Sequence, residues 1–151
     1  MNYLSTPIQA APGPHLIQWL EHKVSAGFPS PAEDFGVSRL DLDRILNIDN
    51  DSNFFMRVSG CSMTAYGVND GDIVSIRKGR RPEHGDIVVA SVRGEFLVKM
   101  LEINDGQMTL KAGNPAYKDI VLTEELEAEC WGVVAAVIRV FPSGIVNVRS
   151  G

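Results

Sequence analysis

Residues 85–101 have the sequence GDIVVASVRGEFLVKML, which predicts a β-hairpin. Two runs rich in Val, Leu and Phe, 86–92 and 96–101, are separated by Arg93-Gly94. Short apolar runs with many β-branched side chains, joined by a glycine-containing break, are typical of adjoining antiparallel strands. We therefore expect the centre of the chain to form a sheet.

The same pattern extends in both directions from this hairpin. Further strand-like runs lie at 54–58, 72–76, 108–111 and 131–140. Glycine-containing breaks of the kind that joins antiparallel strands lie between the runs, at 69–71, 83–85 and 104–106. The sequence therefore predicts a mainly β fold with a largely antiparallel domain over residues 53–151.

Composition limits the classes of protein that this chain can represent. Its 151 residues, 44% of them hydrophobic, suit one compact domain with a short appended arm. The net charge of -5 repels a phosphate backbone, so direct DNA binding is not expected. The longest apolar stretch, 131–140, is shorter than the ~20 residues of a membrane helix. Cys61 and Cys130, without a CxxC motif or signal peptide, indicate a reducing cytoplasm.

The residues before the predicted sheet form two segments of different character. Apolar residues at 16, 17, 20 and 24 have the spacing of one face of a short helix. Residues 27–31 contain two prolines and are predicted to form an exposed, extended linker. We therefore divide the chain into a flexible N-terminal arm, 1–26, an extended linker and lead-in segment, 27–52, and the β-domain.

Ser62 is a candidate nucleophile. It lies in Gly60-Cys61-Ser62-Met63, directly after a predicted strand, where a glycine permits a sharp turn. Such a turn can expose a hydroxyl and can aim backbone N–H groups at a developing oxyanion. An ordinary loop serine is the alternative, because serines are common in turns. The neighbouring Cys61 is either a small, buried or half-buried apolar residue or, in electropositive surroundings, a reactive thiol.

Lys99 is a candidate general base. Strand alternation places Leu97, Lys99 and Leu101 on one face of a strand whose two faces are both apolar. Burial among hydrocarbon lowers the pKa of a lysine, and a neutral lysine can accept the proton of a serine. The alternative is an edge-strand lysine that reaches water and discourages aggregation.

The remaining sequence offers no stronger centre of chemistry. The three histidines, His15, His22 and His84, lie in the predicted arm and in a turn, where we expect them to be solvated. No group of residues has the spacing of metal ligands, and no glycine-rich phosphate-binding loop is present. We therefore expect neither a metal nor another cofactor.

Three segments resemble the LexA/UmuD family of self-cleaving proteins, in its UmuD-like branch. They are Ala26-Gly27-Phe28-Pro29-Ser30-Pro31-Ala32, Ser59-Gly60-Cys61-Ser62-Met63, and Gly85-Asp86-Ile87-Val88 leading into Gly94-Glu95-Phe96-Leu97-Val98-Lys99. With Asp70-Gly71-Asp72 they occur in the order typical of the family, and the similarity spans about residues 24–140. One difference is Cys61, where many relatives carry Asp.

The resemblance implies a specific activity and specific partners. It implies a LexA/signal-peptidase-like β-rich fold, with Ser62 as nucleophile, Lys99 as general base and Ala26-Gly27 as the scissile bond. It further implies a homodimer whose cleavage is stimulated by a RecA filament on single-stranded DNA. The shortened product is then expected to be an accessory subunit of a UmuC-like, error-prone Y-family DNA polymerase in SOS mutagenesis and translesion synthesis.

Two other functions are compatible with the same residues. One is a non-catalytic dimeric adaptor, and the other is a trans-acting Ser-Lys peptidase. The missing membrane anchor and the built-in Ala-Gly bond disfavour the second. The 26 residues before the proposed cut are fewer than the ~40 that an isolated domain usually needs, so we interpret them as a removable regulatory segment rather than a DNA-binding domain.

Overall fold

The computed structural model describes residues 16–20, 26–27, 37–46 and 52–142. In these residues the chain forms β1 (Leu16–Leu20), β2 (Val37–Asp41), α1 (Leu42–Leu46), β3 (Asn53–Arg57), β4 (Ile73–Arg77), β5 (Ile87–Val92), β6 (Glu95–Asn104), β7 (Gln107–Lys111), β8 (Ile120–Val121) and β9 (Ala128–Ile138). Single 3-10 turns lie at Thr64–Tyr66 and Glu124–Leu126. The prediction of a mainly β fold is confirmed.

Within the described segments, seven strands form one antiparallel sheet in the order β3-β4-β9-β5-β6-β7-β8. The predicted hairpin at 85–101 is the pair β5 and β6, which ends in Val92 opposite Glu95. Arg93 and Gly94 both have positive φ, 51° and 78°, as the tight turns of right-twisted hairpins require. Asp105-Gly106 closes the pair β6 and β7 in the same way.

Not every glycine-containing break closes a hairpin. The break at 83–85 lies between β4 and β5, but these two strands do not pair because β9 is inserted between them. The chain therefore returns from its far end to fill the middle of the sheet. A local turn signal cannot show such an insertion, since the inserted strand lies more than 30 residues away.

The helix predicted from residues 16–24 is wrong for the part that the structure describes. Residues 16–20 form β1, which pairs with β2 in a separate two-stranded sheet, from Leu16 opposite Asp41 to Leu20 opposite Val37. A short amphipathic segment gains little as an isolated helix, whereas a distant strand satisfies its backbone groups. Strand β2 and helix α1 lie in the predicted linker and lead-in segment, 27–52. Residues 24 and 28–36 lie outside the described residues, and with them most of the predicted linker at 27–31.

Apolar side chains are buried on both faces of the sheet. Neighbouring residues of β5 illustrate the alternation, because Val88 and Val89 are both fully buried but belong to different clusters. One cluster contains Met56, Met63, Val74, Ile76, Val89 and Val98, and the other contains Val88, Ala90, Leu101, Leu110 and Val133. The β5–β6 hairpin is thus covered on both sides, which determines the surroundings of any polar group placed in its middle.

Candidate active site

A closed loop between β3 and β4 carries Ser62. The Val58 N–H donates to the Asp72 carbonyl at 2.7 Å, and the Gly71 N–H donates to the Val58 carbonyl at 2.8 Å. Inside the loop, the Gly60 N–H donates to the Asp70 carboxylate at 2.7 Å, and Gly60 has a φ of 95° that other residues rarely adopt. These bonds close the base of the loop and fix its first turn, just before Ser62.

The segment after β7 packs against this loop and holds it from a second side. The Gly113 N–H donates to the Ser62 carbonyl at 2.6 Å, and the Gly113 carbonyl accepts from the Ala65 N–H at 2.9 Å. The Asn114 side-chain amide donates to the Cys61 carbonyl at 3.0 Å. Ser62 is consequently buried, with 2% of its surface exposed, although its position in a turn suggested an exposed hydroxyl.

Lys99 lies in the middle of β6 and reaches Ser62 from the sheet. Its Nζ is 2.8 Å from the Ser62 Oγ, and Lys99 is 4% exposed. The alternative of an edge-strand lysine is wrong, because β6 has β5 on one side and β7 on the other. The structure therefore brings together the two residues that the sequence identified 37 positions apart.

Two opposing effects act on the protonation of Lys99. Burial lowers the pKa of Lys99 below its usual value and is the larger effect. The negative charge of Asp119 raises the same pKa, but Asp119 is itself held by Lys111, 2.7 Å away, and by the Ala112 N–H at 3.0 Å. The Tyr117 ring lies over Lys99, 5.7 Å from its Nζ, where an aromatic face attracts a cation. The net lowering favours a neutral amine that can accept the proton of Ser62.

The other candidate residues lie in different surroundings. Cys61 is exposed and has a free thiol, so the interpretation of Cys61 as a buried or half-buried apolar residue is wrong. His84 is exposed, and its Nδ1 accepts a hydrogen bond from the Ile103 N–H at 2.9 Å, while His15 and His22 lie outside the described residues. Ala26 and Gly27 are both exposed, but the residues on either side of this pair are not described. The Ala26-Gly27 cut therefore stays a prediction.

Sequence reasoning missed the contribution of residues 112–119. Gly113, Asn114, Tyr117 and Asp119 all contact the Ser62 loop or act on Lys99. The Gly-Asn-Pro sequence at 113–115 signals a turn, yet a turn signal alone does not show what the turn packs against. These residues complete the site by holding the main chain of Ser62 and by setting the charge near Lys99.

Neither a cluster of metal ligands nor a membrane-spanning helix is present in the described part of the chain. Among the residues that the structure describes, no three His, Cys, Asp or Glu side chains are grouped to hold a metal ion. In the same residues no helix has the length and apolar character needed to cross a bilayer.

Comparison with known proteins assigns the chain to a family. The model of the family described as Peptidase S24-like matches residues 17–135, which include Ser62 and Lys99. The chain belongs to this family. The resemblance to the LexA/UmuD family, in its UmuD-like branch, is confirmed by this match together with the relatives described next.

Individual relatives agree with this family membership. Protein SamA of Salmonella typhimurium is 41% identical over 76% of this chain and 79% of its own length. Protein ImpA of the same species is 44% identical over 52% of this chain, which spans 54% of the ImpA length, about half. LexA repressor 2 of Pseudomonas syringae is 30% identical over 87% of this chain and 65% of its own length.

Proposed function

We propose that this member of the Peptidase S24-like family is a self-cleaving serine peptidase that cuts its own chain between Ala26 and Gly27. The observation that supports this proposal best is the 2.8 Å contact between the Lys99 Nζ and the Ser62 Oγ inside an apolar sheet. A buried amine next to a serine hydroxyl is the arrangement that a Ser-Lys pair needs, because burial favours the neutral amine and the neutral amine activates the hydroxyl.

The first half of the reaction forms an ester on the enzyme. The Ser62 Oγ attacks the carbonyl carbon of Ala26 while Lys99 accepts the hydroxyl proton. The resulting tetrahedral oxyanion collapses, the bond between Ala26 and Gly27 breaks, and Lys99 gives the proton to the departing amine of Gly27. The acyl group of Ala26 remains on Ser62.

The second half releases the arm. Lys99, neutral again, takes a proton from a water molecule that attacks the ester carbonyl. The bond to the Ser62 Oγ then breaks, and the serine recovers its proton from Lys99. The products are a carboxylate at Ala26 and a new amino terminus at Gly27, and the reaction needs no metal or other cofactor.

The wider role rests on the family relationship. We propose that cleavage is stimulated by a RecA filament on single-stranded DNA during the SOS response. The shortened product would then act as a homodimeric accessory subunit of a UmuC-like Y-family DNA polymerase in translesion synthesis. The relatedness to SamA, ImpA and LexA repressor 2 supports this context for the protein.

Mass spectrometry of the intact purified chain tests the proposal. The protein is incubated with and without a RecA filament on single-stranded DNA and a nucleotide that supports filament formation. We expect two fragments split after Ala26, and more of them when the filament is present. A chain that stays whole under every condition would instead favour the non-catalytic adaptor.

Three variants identify the nucleophile and the bond. Ser62→Ala should abolish cleavage and keep the fold, since it removes only a hydroxyl, whereas Cys61→Ala should still be cut. Ala26→Glu should resist cleavage, because a charge at this position would have to be desolvated in the site. An inactive Cys61→Ala together with an active Ser62→Ala would show that the nucleophile is misassigned, and undiminished cutting of Ala26→Glu would point to another bond.

A further inference from the structure

The guanidinium of Arg139, at the end of the sheet, binds the loop that carries Ser62. Arg139 directly follows β9, and its Nε and Nη2 each lie 2.7 Å from one oxygen of the Asp72 carboxylate. The same Nη2 also donates to the Gly67 carbonyl at 3.0 Å. Bidentate pairs of this kind fix orientation as well as distance, because both partners are planar.

The buried Asp72 carboxylate depends on the Arg139 guanidinium to balance its charge. The Asp72 side chain is only 1% exposed, whereas the Arg139 side chain is 42% exposed. Asp72 also accepts a hydrogen bond from the Asn69 N–H at 2.7 Å. Both carboxylate oxygens of Asp72 therefore accept hydrogen bonds. The neighbouring guanidinium lowers the pKa of Asp72, which keeps the carboxylate charged and its ion pair with Arg139 intact.

A short series of hydrogen bonds connects the Arg139–Asp72 pair to Ser62. Gly67 ends the 3-10 turn Thr64–Tyr66, and its N–H donates to the Thr64 carbonyl at 3.1 Å. The next residue, Val68, donates to the Met63 carbonyl at 3.2 Å. Met63 is the chain neighbour of Ser62, so Arg139 holds both the base of the loop, at Asp72, and the turn that follows the nucleophile.

We propose that Arg139 is a positioning residue for Ser62, acting through Asp72 and Gly67 to keep the Ser62 Oγ beside the Lys99 Nζ. This inference rests on the proposed self-cleavage. Gly113 binds the Ser62 carbonyl directly, and Arg139 binds the Gly67 carbonyl further along the same loop. Because reacting groups displaced by about 1 Å can lose about 100-fold in rate, a loosened loop should slow the reaction even when the chain stays folded.

The test compares first-order self-cleavage rates across a range of pH for the parent, Arg139→Ala and Arg139→Lys. We expect Arg139→Ala to be at least about 10-fold slower at every pH. The midpoint of its pH profile should not move, because the burial of Lys99 is unchanged. Arg139→Lys should fall between the two, since an ammonium keeps the charge but cannot span two carboxylate oxygens and a carbonyl.

Two controls separate positioning from general stability. Arg80→Ala removes an arginine from a looser pair, 3.7 Å from Asp86, and should cleave like the parent. Val92→Ala removes apolar packing near the β5–β6 turn and provides a destabilised chain whose Arg139–Asp72 pair is intact. If Arg139→Ala fails to fold, Asp72→Asn serves in its place, since it keeps the shape of the side chain and loses the charge.

The outcomes distinguish the inference from the proposed function. A parent chain that never cleaves refutes the proposed function. A parent that cleaves, with Arg139→Ala within twofold of its rate, refutes only the positioning role. The positioning role is equally overturned if Val92→Ala, at a matched melting temperature, loses as much rate as Arg139→Ala.

Discussion

Replacing Gly113 by alanine should slow self-cleavage by crowding the nucleophile loop from outside. An added Cβ would lie 2.6 Å from the Tyr66 Cδ2 and 3.2 Å from the Met63 Cα. Carbon atoms in favourable contact are about 3.5–4.0 Å apart. The Tyr66 ring, which is partly exposed, can swing away, but the Met63 main chain must also give way.

The expected magnitude follows from these distances. The Met63 Cα has to move by about 0.3 Å to reach the edge of normal contact. If about 1 Å of misplacement costs about 100-fold, a few tenths of an ångström transmitted to Ser62 should cost roughly 3- to 10-fold in rate. Overpacking should also lower the free energy of unfolding by about 1–3 kcal/mol.

The assay is the first-order rate of self-cleavage, with circular dichroism and thermal unfolding of each variant. Gly79→Ala is the matched control, because its Cβ would meet only Ser52 at 3.7 Å, an ordinary contact, and the backbone there has no positive φ. We expect the control to match the parent. A folded Gly113→Ala that cleaves at the parental rate would refute the reasoning that a side chain at position 113 displaces the loop that carries Ser62.

Three further predictions concern protonation. Self-cleavage without an activator should accelerate from neutral to alkaline pH, because only neutral Lys99 accepts the serine proton, and Lys99→Ala should remove this acceleration; a rate independent of pH would exclude Lys99 as the base. Asp119→Asn should move the pH–rate profile to lower pH, since the Asp119 charge raises the pKa of Lys99; an unmoved midpoint would contradict this. The pKa of Asp72 is lowered by Arg139, so its contribution to the free energy of unfolding is present above its ordinary pKa of 3.8 and is lost as pH falls through the lower folded value. Acid unfolding curves of Asp72→Asn should therefore depend less on pH in that range, and an equal dependence would contradict the assignment.

Local patterns were sufficient wherever the interaction partners are close in sequence. The hairpin at 85–101 was predicted because alternation and the Arg93-Gly94 turn are both encoded within a few residues. The same kind of pattern failed at residues 16–20. There the apolar spacing suggested a helix, but the segment forms a strand because it pairs with residues 37–41. Secondary structure that depends on a distant strand cannot be read from the segment itself.

The candidate site was likewise predicted only in part. The motif at 59–63 and the apolar surroundings of residue 99 made Ser62 and Lys99 candidates, with a loop serine and an edge-strand lysine as alternatives, and the family resemblance decided for the pair. The restraints on the pair were not predicted. Gly113 binds the Ser62 carbonyl through a main-chain N–H, which every residue type except proline has. Its lack of a side chain matters only because Tyr66 and Met63 pack against it, and a segment of sequence does not show that contact.

The sequence by itself determined strands β3 to β7 and β9, the tight turns and the residue types able to perform acyl transfer, because these properties depend on side chains a few positions apart. Only the tertiary structure decided that β9 enters the middle of the sheet and that β6 is covered on both sides. It also decided that Arg139 meets Asp72 across 67 positions. The pKa of Lys99 and the position of Ser62 depend on these long-range contacts, since burial and alignment are properties of the assembled sheet rather than of any segment of the chain.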